Sequence, residues 1–556
     1  MKRPNTLLAL SVALLIGSQS ANALTPWQNG APNIIVRVSG AVAVNKAYTQ
    51  VITDTLAAAD SIDTFNDVDA VTGSIGSNWT AHYFTGHANL GSGLAGKKIL
   101  LIRRTRGGTG YGVIPLISGI PIEHLNIQGL PASAWVADGT KAWKQTISAA
   151  NAGTYLTKKV SDGGVIAVDP NSVLKPGTEN YPDQQNELTT GLPEPGWPLN
   201  LTQISTTNFT VIPTAGLVYG VAVTQDLYKA LQAAQKRAGS LPQSAVIGNY
   251  SETDMPNLNR TVVASLLAGK IGAWDQVKIV DKTDGNAVKS LLDSSILADA
   301  GVSAPYKEST TGLNLTPVAL GLRNNGAATS VLAYSVFLNY PGTKNAFGPA
   351  GKTADNAVDE DASQPIVKQP IIISDTGALL KDWQNGTNIL GFNNVVDGLG
   401  YAKRWGIAIN TADKNTSVTA SGTGGDPWRY IRIDGYAPTL ENVAAGVYTY
   451  WSEGVVLYRK NKSADPQWAL KTKLMKTLAD GLGSPAIAGK ATTTQAWGKT
   501  GAFATTADPR GFTASIPFDA GNPVAPFSHK NNGAVHTEIV PVADSAAAGG
   551  LEIQLK

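Results

Sequence analysis

No cysteine occurs anywhere in the 556-residue chain. That removes disulfides, thiol catalysis, Cys-ligated zinc, iron–sulfur clusters and covalently attached haem in one step, so stability must come from packing. Charge is scarce as well. Asp, Glu, Lys and Arg supply 15% of residues against the roughly 25% of an average soluble protein, and the formal net charge is +3. This balance excludes a polyelectrolyte, a coiled coil and an acidic disordered tail. It also gives no basis for nucleic-acid binding or electrostatic attachment to a membrane. Past the first residues no apolar run approaches the roughly 18 to 20 residues of a spanning helix, and no membrane insertion is expected. A Gly-x-Ser-x-Gly elbow and a His-Glu-x-x-His motif are both absent, so no hydrolase or metalloenzyme class is marked, no cofactor is called for, and binding is favoured over enzymology.

What is present is apolar and glycine-rich. Hydrophobic residues make up 43% and Gly 58 positions, enough for sizeable cores in a chain too long for one, so two or three domains are expected. Lys2 and Arg3 precede the apolar stretch Leu7 to Ile16, and Ala21-Asn22-Ala23 has the small-residue spacing of a signal-peptide cleavage site. Cleavage after Ala23 is expected. It leaves 42 basic against 41 acidic residues and, with no Cys to carry a lipid, a free periplasmic or extracellular protein.

Apolar strand-like segments at Ile34 to Val38, Lys98 to Ile102, Thr210 to Val223 and Pro317 to Leu322 alternate with helical patterns at Gln225 to Arg237, Leu258 to Leu267 and Ala327 to Leu338. This is the signature of α/β layers. Thr224 and Gly239 read as the caps of the first of these helices. Lys175 to Asn200 and Asn415 to Trp428 read as inserted loops, and from about Pro485 onward Gly, Ala, Thr and Pro run without clear periodicity.

Gly91 to Gly96 has dinucleotide-binding spacing, but the strand follows the glycines instead of preceding them, so a loop entering a strand is the better reading. His82 and His87 are the only close histidine pair, and a five-residue gap separates them on a helix, so a packing or surface role is favoured over a metal. Two other segments suit an anion. Arg103 to Gly112 places basic residues and glycines directly after a strand, and Leu322 to Ser330 places Arg323 and the hydroxyls of Thr329 and Ser330 where a strand gives way to a helix N-terminus.

Several segments, in shared order, resemble the periplasmic phosphate-binding proteins of ABC transporters, and more broadly the type II periplasmic binding proteins. Ile34 to Ala41 looks like the family's opening strand and Ser/Thr-Gly-Ala loop, and Thr105 to Gly108 falls at its Ser/Gly-rich turn. Val211 to Val223 resembles the entry to the second lobe, and Leu267 to Asp275 its Gly-Lys-Ile-x-x-Trp motif. Arg323 to Ser330 looks like the Arg-x-Asp-Gly-Ser-Gly-Thr-Ser ligand loop, and Pro438 to Tyr448 like the return segment.

The resemblance implies an α/β, two-lobe type II periplasmic binding protein fold with inserted loops and an irregular C-terminal extension. Residues 1–23 would be the signal, 24–215 with 395–460 lobe one, 216–394 lobe two and 461–556 the extension. It implies a small oxyanion such as phosphate as ligand and an ABC permease as partner. The residues carried over to the ligand are Ser39, Gly40, Ala41, Thr105, Gly107, Gly108, Thr109, Asp169, Arg323, Asn325, Thr329 and Ser330. Three departures fall in the ligand loop, where Asn325, Ala327 and Ala328 replace the family's Asp, Ser and second Gly. A fourth puts Ala167 at the proton-accepting Asp, with Asp169 two positions on. A site without those carboxylates should tolerate sulfate nearly as well as phosphate, because an unpaired acceptor facing sulfate is what enforces the distinction. The competing expectation is a secreted interaction or surface-structural protein on the same scaffold, without a working anion site.

Overall fold

In the strand Ile34–Gly40, Ile34, Val36 and Val38 are buried while Ile35 and Arg37 are less so, the period-two pattern of a strand with one face covered more deeply than the other. The computed structural model describes residues 30–541 except 71–72, 183–187, 189–203, 205–206, 308–313, 342–347, 351–370, 374, 388–401, 506–517, 526 and 532–533. The expected signal segment, most of the insertion after Pro182 and the last residues of the extension lie outside this set.

The chain is an α/β protein organised on one large mixed sheet. From one edge the strands run Ile371–Ile373, Ala319–Arg323, Gly406–Thr411, Phe209–Thr224, Trp451–Arg459, Gly163–Ile166, Ile34–Gly40, Lys98–Arg104, Ile75–Thr85, Asp63–Asp69, Ala142–Ile147 and Val136–Ala137. Two parallel groups recur, one where Ile34–Gly40 lies between Lys98–Arg104 and Gly163–Ile166, the other where Ala319–Arg323 lies between Ile371–Ile373 and Gly406–Thr411. Helices Asn45–Val51, Gly108–Ser118 and Ala328–Leu338 start just past strands of these groups. Their N-termini therefore sit at the carboxyl ends of parallel strands, where open α/β sheets bind ligands.

The 16-residue strand Phe209–Thr224 joins the two groups. Its first part pairs antiparallel with Trp451–Arg459, and residues Tyr219 to Val223 pair with Gly406–Thr411, the register shifting between Pro213 and Gly216. The expected helix at Gln225–Ala238 buries Leu227, Leu231 and Ala234 and ends at Gly239 in the left-handed region. Thr224 stands at its N-cap position, but the hydroxyl is spent elsewhere, accepting the Gly406 N–H at 3.2 Å.

The extension is more regular than its composition suggests. Helix Trp468–Leu482 is fastened to the sheet by Lys471, whose Nζ lies 3.3 Å from the buried Asp162 carboxylate. Helix Pro485–Lys490, a hairpin of Thr493–Gln495 with Gly498–Thr500, and strand Ala502–Thr505 follow. This segment touches both strand groups. Lys46 reaches Thr493, Gln495 Nε2 donates to the carbonyls of Ala412 (3.0 Å) and Lys414 (2.6 Å), and Ala502–Phe503 pairs with Gly216–Leu217. Trp497 packs edge-on against Tyr250 and Tyr430, contacts worth about 0.5–1.5 kcal/mol each beyond area burial.

Close approach of backbone fixes the helix Gly108–Ser118 on the sheet. A Cβ on Gly112 would lie 2.9 Å from Gly40 Cα and 3.0 Å from Ser39 O, and backbone atoms cannot swing aside. Gly112→Ala should therefore destabilise the fold by about 1–3 kcal/mol, read as a lower urea midpoint at unchanged m-value. Gly153→Ala, at a position with open space around it, should change the midpoint little.

Candidate functional site

Three strand-to-helix junctions were expected to converge on a ligand, and the structure brings two of them together. The turn after Lys98–Arg104 and the turn after Ala319–Arg323 meet through a hydrogen bond from Gly110 N to Gly326 O at 3.0 Å. A Cβ on Gly108 would stand 3.5 Å from Ala327 Cα. Gly107 and Gly108, at φ +85° and +67°, supply the left-handed turn that starts the helix. Thr109 is fully buried in this seam, and its Oγ1 has no hydrogen-bond partner among the described residues. On the second turn's helix, Thr329 is buried with its carbonyl accepting the Tyr450 hydroxyl at 3.1 Å, and Asn325 lies in the turn itself.

Arg323 ends the strand that leads into the second of these turns. Burial lowers its pKa and Asp375 partly offsets that, yet Nε has no partner among the described residues. Asp375 is itself engaged as a helix cap, accepting Ala378 N–H at 3.1 Å.

The remaining expected ligand groups are committed to structure. Ser39 is fully buried, its Oγ 2.9 Å from Ser161 Oγ, which in turn lies 3.2 Å from His124 Nε2. Gly40 and Ala41 are held on the neighbouring strand, with Ala41 N donating to Val165 O at 2.7 Å, and Arg103 donating to Ala41 O. Thr105 Oγ1 donates to Ser77 O at 2.7 Å. Ser330 Oγ accepts Arg323 N–H at 3.0 Å and returns a bond to Arg323 O at 3.1 Å, tying strand to helix. Asp169 caps the short helix Pro170–Val173 through Asn171 N at 2.9 Å. Ala167 is buried, with its carbonyl accepting the Ser452 hydroxyl.

The basic residues expected beside the glycines also turn away. Consecutive strand residues point to opposite faces, so Arg103 stacks 4.2 Å over Tyr48 under helix Asn45–Val51. Arg104 stacks 4.6 Å over Tyr111 in helix Gly108–Ser118, where it donates to Glu123 O at 3.2 Å. Burial brings the Arg103 pKa down to about 10.

A contribution that the sequence did not reveal comes from Lys175 to Pro182. Pro182 lies across the meeting of the two turns, its Cγ 2.5 Å from a Cβ placed on Gly110 and its Cβ 2.7 Å from one placed on Gly326. Two residues earlier, Asn180 is fully buried with neither Oδ1 nor Nδ2 partnered among the described residues. Only the loop-like composition of this stretch was visible in the sequence, and composition does not report which distant turns a loop crosses.

A scan against family models finds no match, and no curated protein matches the chain. Among solved structures it is similar to an ABC-type phosphate transport receptor from Vibrio cholerae, at 10% identity and a TM-score of 0.31, over 80% of this chain and 93% of that one. It is also similar to PstS from Borrelia burgdorferi, at 8% identity and a TM-score of 0.27, over 81% of this chain and 97% of that one. Likeness of this order fixes neither family nor ligand.

His82 and His87 have separate roles. His87 Nδ1 accepts Asn89 N–H at 3.1 Å. His82 is buried with its ring 6.4 Å from Tyr48, and burial first, then the Arg103 charge, pushes its pKa down to about 4. The unfolded imidazole titrates near 6.5, so the unfolded state takes the proton first, and the His82 contribution falls as pH drops from about 6.5 to about 4. That amounts to on the order of 3 kcal/mol. Asp63 and Asp67, raised to about 6 by burial, act in the opposite direction over that window. The comparison that isolates His82 is therefore wild type against His82→Gln. Urea denaturation should show the variant gaining about 3 kcal/mol relative to wild type between pH 7 and pH 4, whereas parallel pH curves would mean that His82 is protonated in place.

Proposed function

We propose that the chain is an exported solute-binding protein that takes an oxyanion at the seam between the Gly107–Gly110 and Arg323–Ser330 turns. The observation that carries this reading is the meeting of two glycine-bearing strand-to-helix turns beside polar groups, Thr109 Oγ1 and Arg323 Nε, that lack partners among the described residues. Two helix N-termini with a half-buried guanidinium favour an anion, and the planar fork of Arg suits a tetrahedral one. In this reading residues 24–215 with 395–460 and residues 216–394 are two lobes hinged at Phe209–Thr224. The first 23 residues are the signal, and an ABC permease is the partner.

Of the expected donors, Thr109 and Arg323 carry the binding, with Asn325 and Thr329 alongside. Ser39, Thr105, Ser330 and Asp169 act through the scaffold. With Asp169 engaged as a cap and Ala167 in the core, no carboxylate from that segment enforces phosphate over sulfate.

A second reading, a secreted interaction or surface protein without a ligand, is favoured by Pro182 lying directly on both turns and by the extension strapped across the proposed hinge. Calorimetric titration with phosphate and sulfate separates the two. Under the first reading both anions bind, and Arg323→Ala weakens them by about 1.5–3 kcal/mol, the worth of a hydrogen bond to a charged partner. Arg323→Lys should fail to restore the affinity because the fork is lost. Heat-free titrations with both anions would leave the second.

A further inference from the structure

We infer that Asn180 is a ligand-contacting residue that sets anion selectivity at this seam, an inference that rests on the oxyanion-binding reading. Its position is determined from both sides. Before it, Glu179 is held by Tyr340, whose hydroxyl accepts the Glu179 N–H at 3.3 Å and donates to its carboxylate, just past helix Ala328–Leu338. After it, Tyr181 packs against the core, and Pro182 rests on Gly110 and Gly326. The chain between these anchors has no freedom to carry residue 180 away, and the side chain is fully buried with both amide atoms unpartnered among the described residues.

A buried amide with neither hydrogen bond satisfied is a rare arrangement in a folded protein. Thr109 Oγ1 is in the same condition one residue before the glycine that Pro182 covers. Two neutral polar groups thus stand without partners among the described residues on segments that meet at Gly110, where Pro182 also reaches the turn that follows Arg323. An oxyanion placed there can accept from Thr109 Oγ1, from Arg323 Nε and from the Asn180 amide.

The chemistry of the amide then predicts the selectivity. A carboxylate only accepts, so it admits a protonated phosphate and repels sulfate. An amide turned one way offers Oδ1 to a P–OH, and turned the other way offers Nδ2 to a fully ionised oxygen. Asn180 should therefore admit both anions.

Titration calorimetry and thermal unfolding of the full mature chain, with inorganic phosphate and with sulfate, test this. Wild type should bind the two anions within about tenfold of each other. Asn180→Asp should lose sulfate by more than about tenfold relative to phosphate, and Asn180→Leu should weaken both by about tenfold or more, the range expected for losing a hydrogen bond to a charged ligand. Without anion, Asn180→Leu should melt at or above the wild-type temperature, because a buried amide with no partner among the described residues has been replaced by an apolar side chain of similar size. A marked fall in that melting temperature would show that the amide is a structural element, and it would overturn the inference. Unchanged affinities and an unchanged phosphate-to-sulfate ratio in both variants would overturn it while leaving the oxyanion-binding reading standing. Absence of anion binding in wild type would overturn both.

Discussion

The hydrogen-bond ladder of Phe209–Thr224 is the constraint on which the rest of the structure depends. One face-buried strand serves as the neighbour of Trp451–Arg459 at its start and of Gly406–Thr411 at its end, so the two parallel strand groups share a single backbone. Most of its residues from Thr214 onward are buried, and the near-continuous apolar run Gly216 to Val223 follows from that burial on both faces. Because the ladder sets where each group's strands end, it also sets where their helices begin. The encounter of Gly110 with Gly326 is a consequence of this strand as much as of either turn.

The elements governed by local periodicity were legible in the sequence. Strand Ile34–Gly40, the long strand after Phe209 and the helix after Gln225 could be drawn from apolar spacing and terminal glycines, because burial acts on every second or every third and fourth residue of a continuous segment. The site was legible only as two turns. Hydroxyls at strand ends look alike whether they face a ligand or their own backbone, and in Ser39, Thr105 and Ser330 the backbone or a neighbouring serine took them. Arg103 and Arg104 looked like anion ligands beside glycines, but alternation along the strand sends them to opposite faces, each onto an aromatic ring. Asn180 left no local trace, since its environment is made by segments far from it in sequence.

The C-terminal segment shows a related limit. Its Gly, Ala, Thr and Pro suggested an appendage because small residues carry no amphipathic signal. In the structure the segment lies close against the sheet, and the small residue at the contact is the strand's Gly216. Phe503 reaches over Gly216 and packs at 5.0 Å on Trp451, and Thr505 donates to Glu453 at 2.7 Å. The segment's attachment rests on single residues such as Phe503 and Thr505, which periodicity does not detect.

The placement of Trp451–Arg459 has a consequence for how the chain reaches its native state. Strand Gly163–Ile166 has Ile34–Gly40 on one side and Trp451–Arg459 on the other, so the second neighbour arrives only after the intervening chain has been made and ordered. Such long-range pairing is slow, because loop closure precedes the contacts that reward it. During that interval a half-built sheet exposes unpaired amides and carbonyls along a buried, apolar strand, the surface on which a second unfinished copy pairs most readily. The central position of a late strand therefore leaves that surface open until the C-terminal part of the chain has joined the sheet.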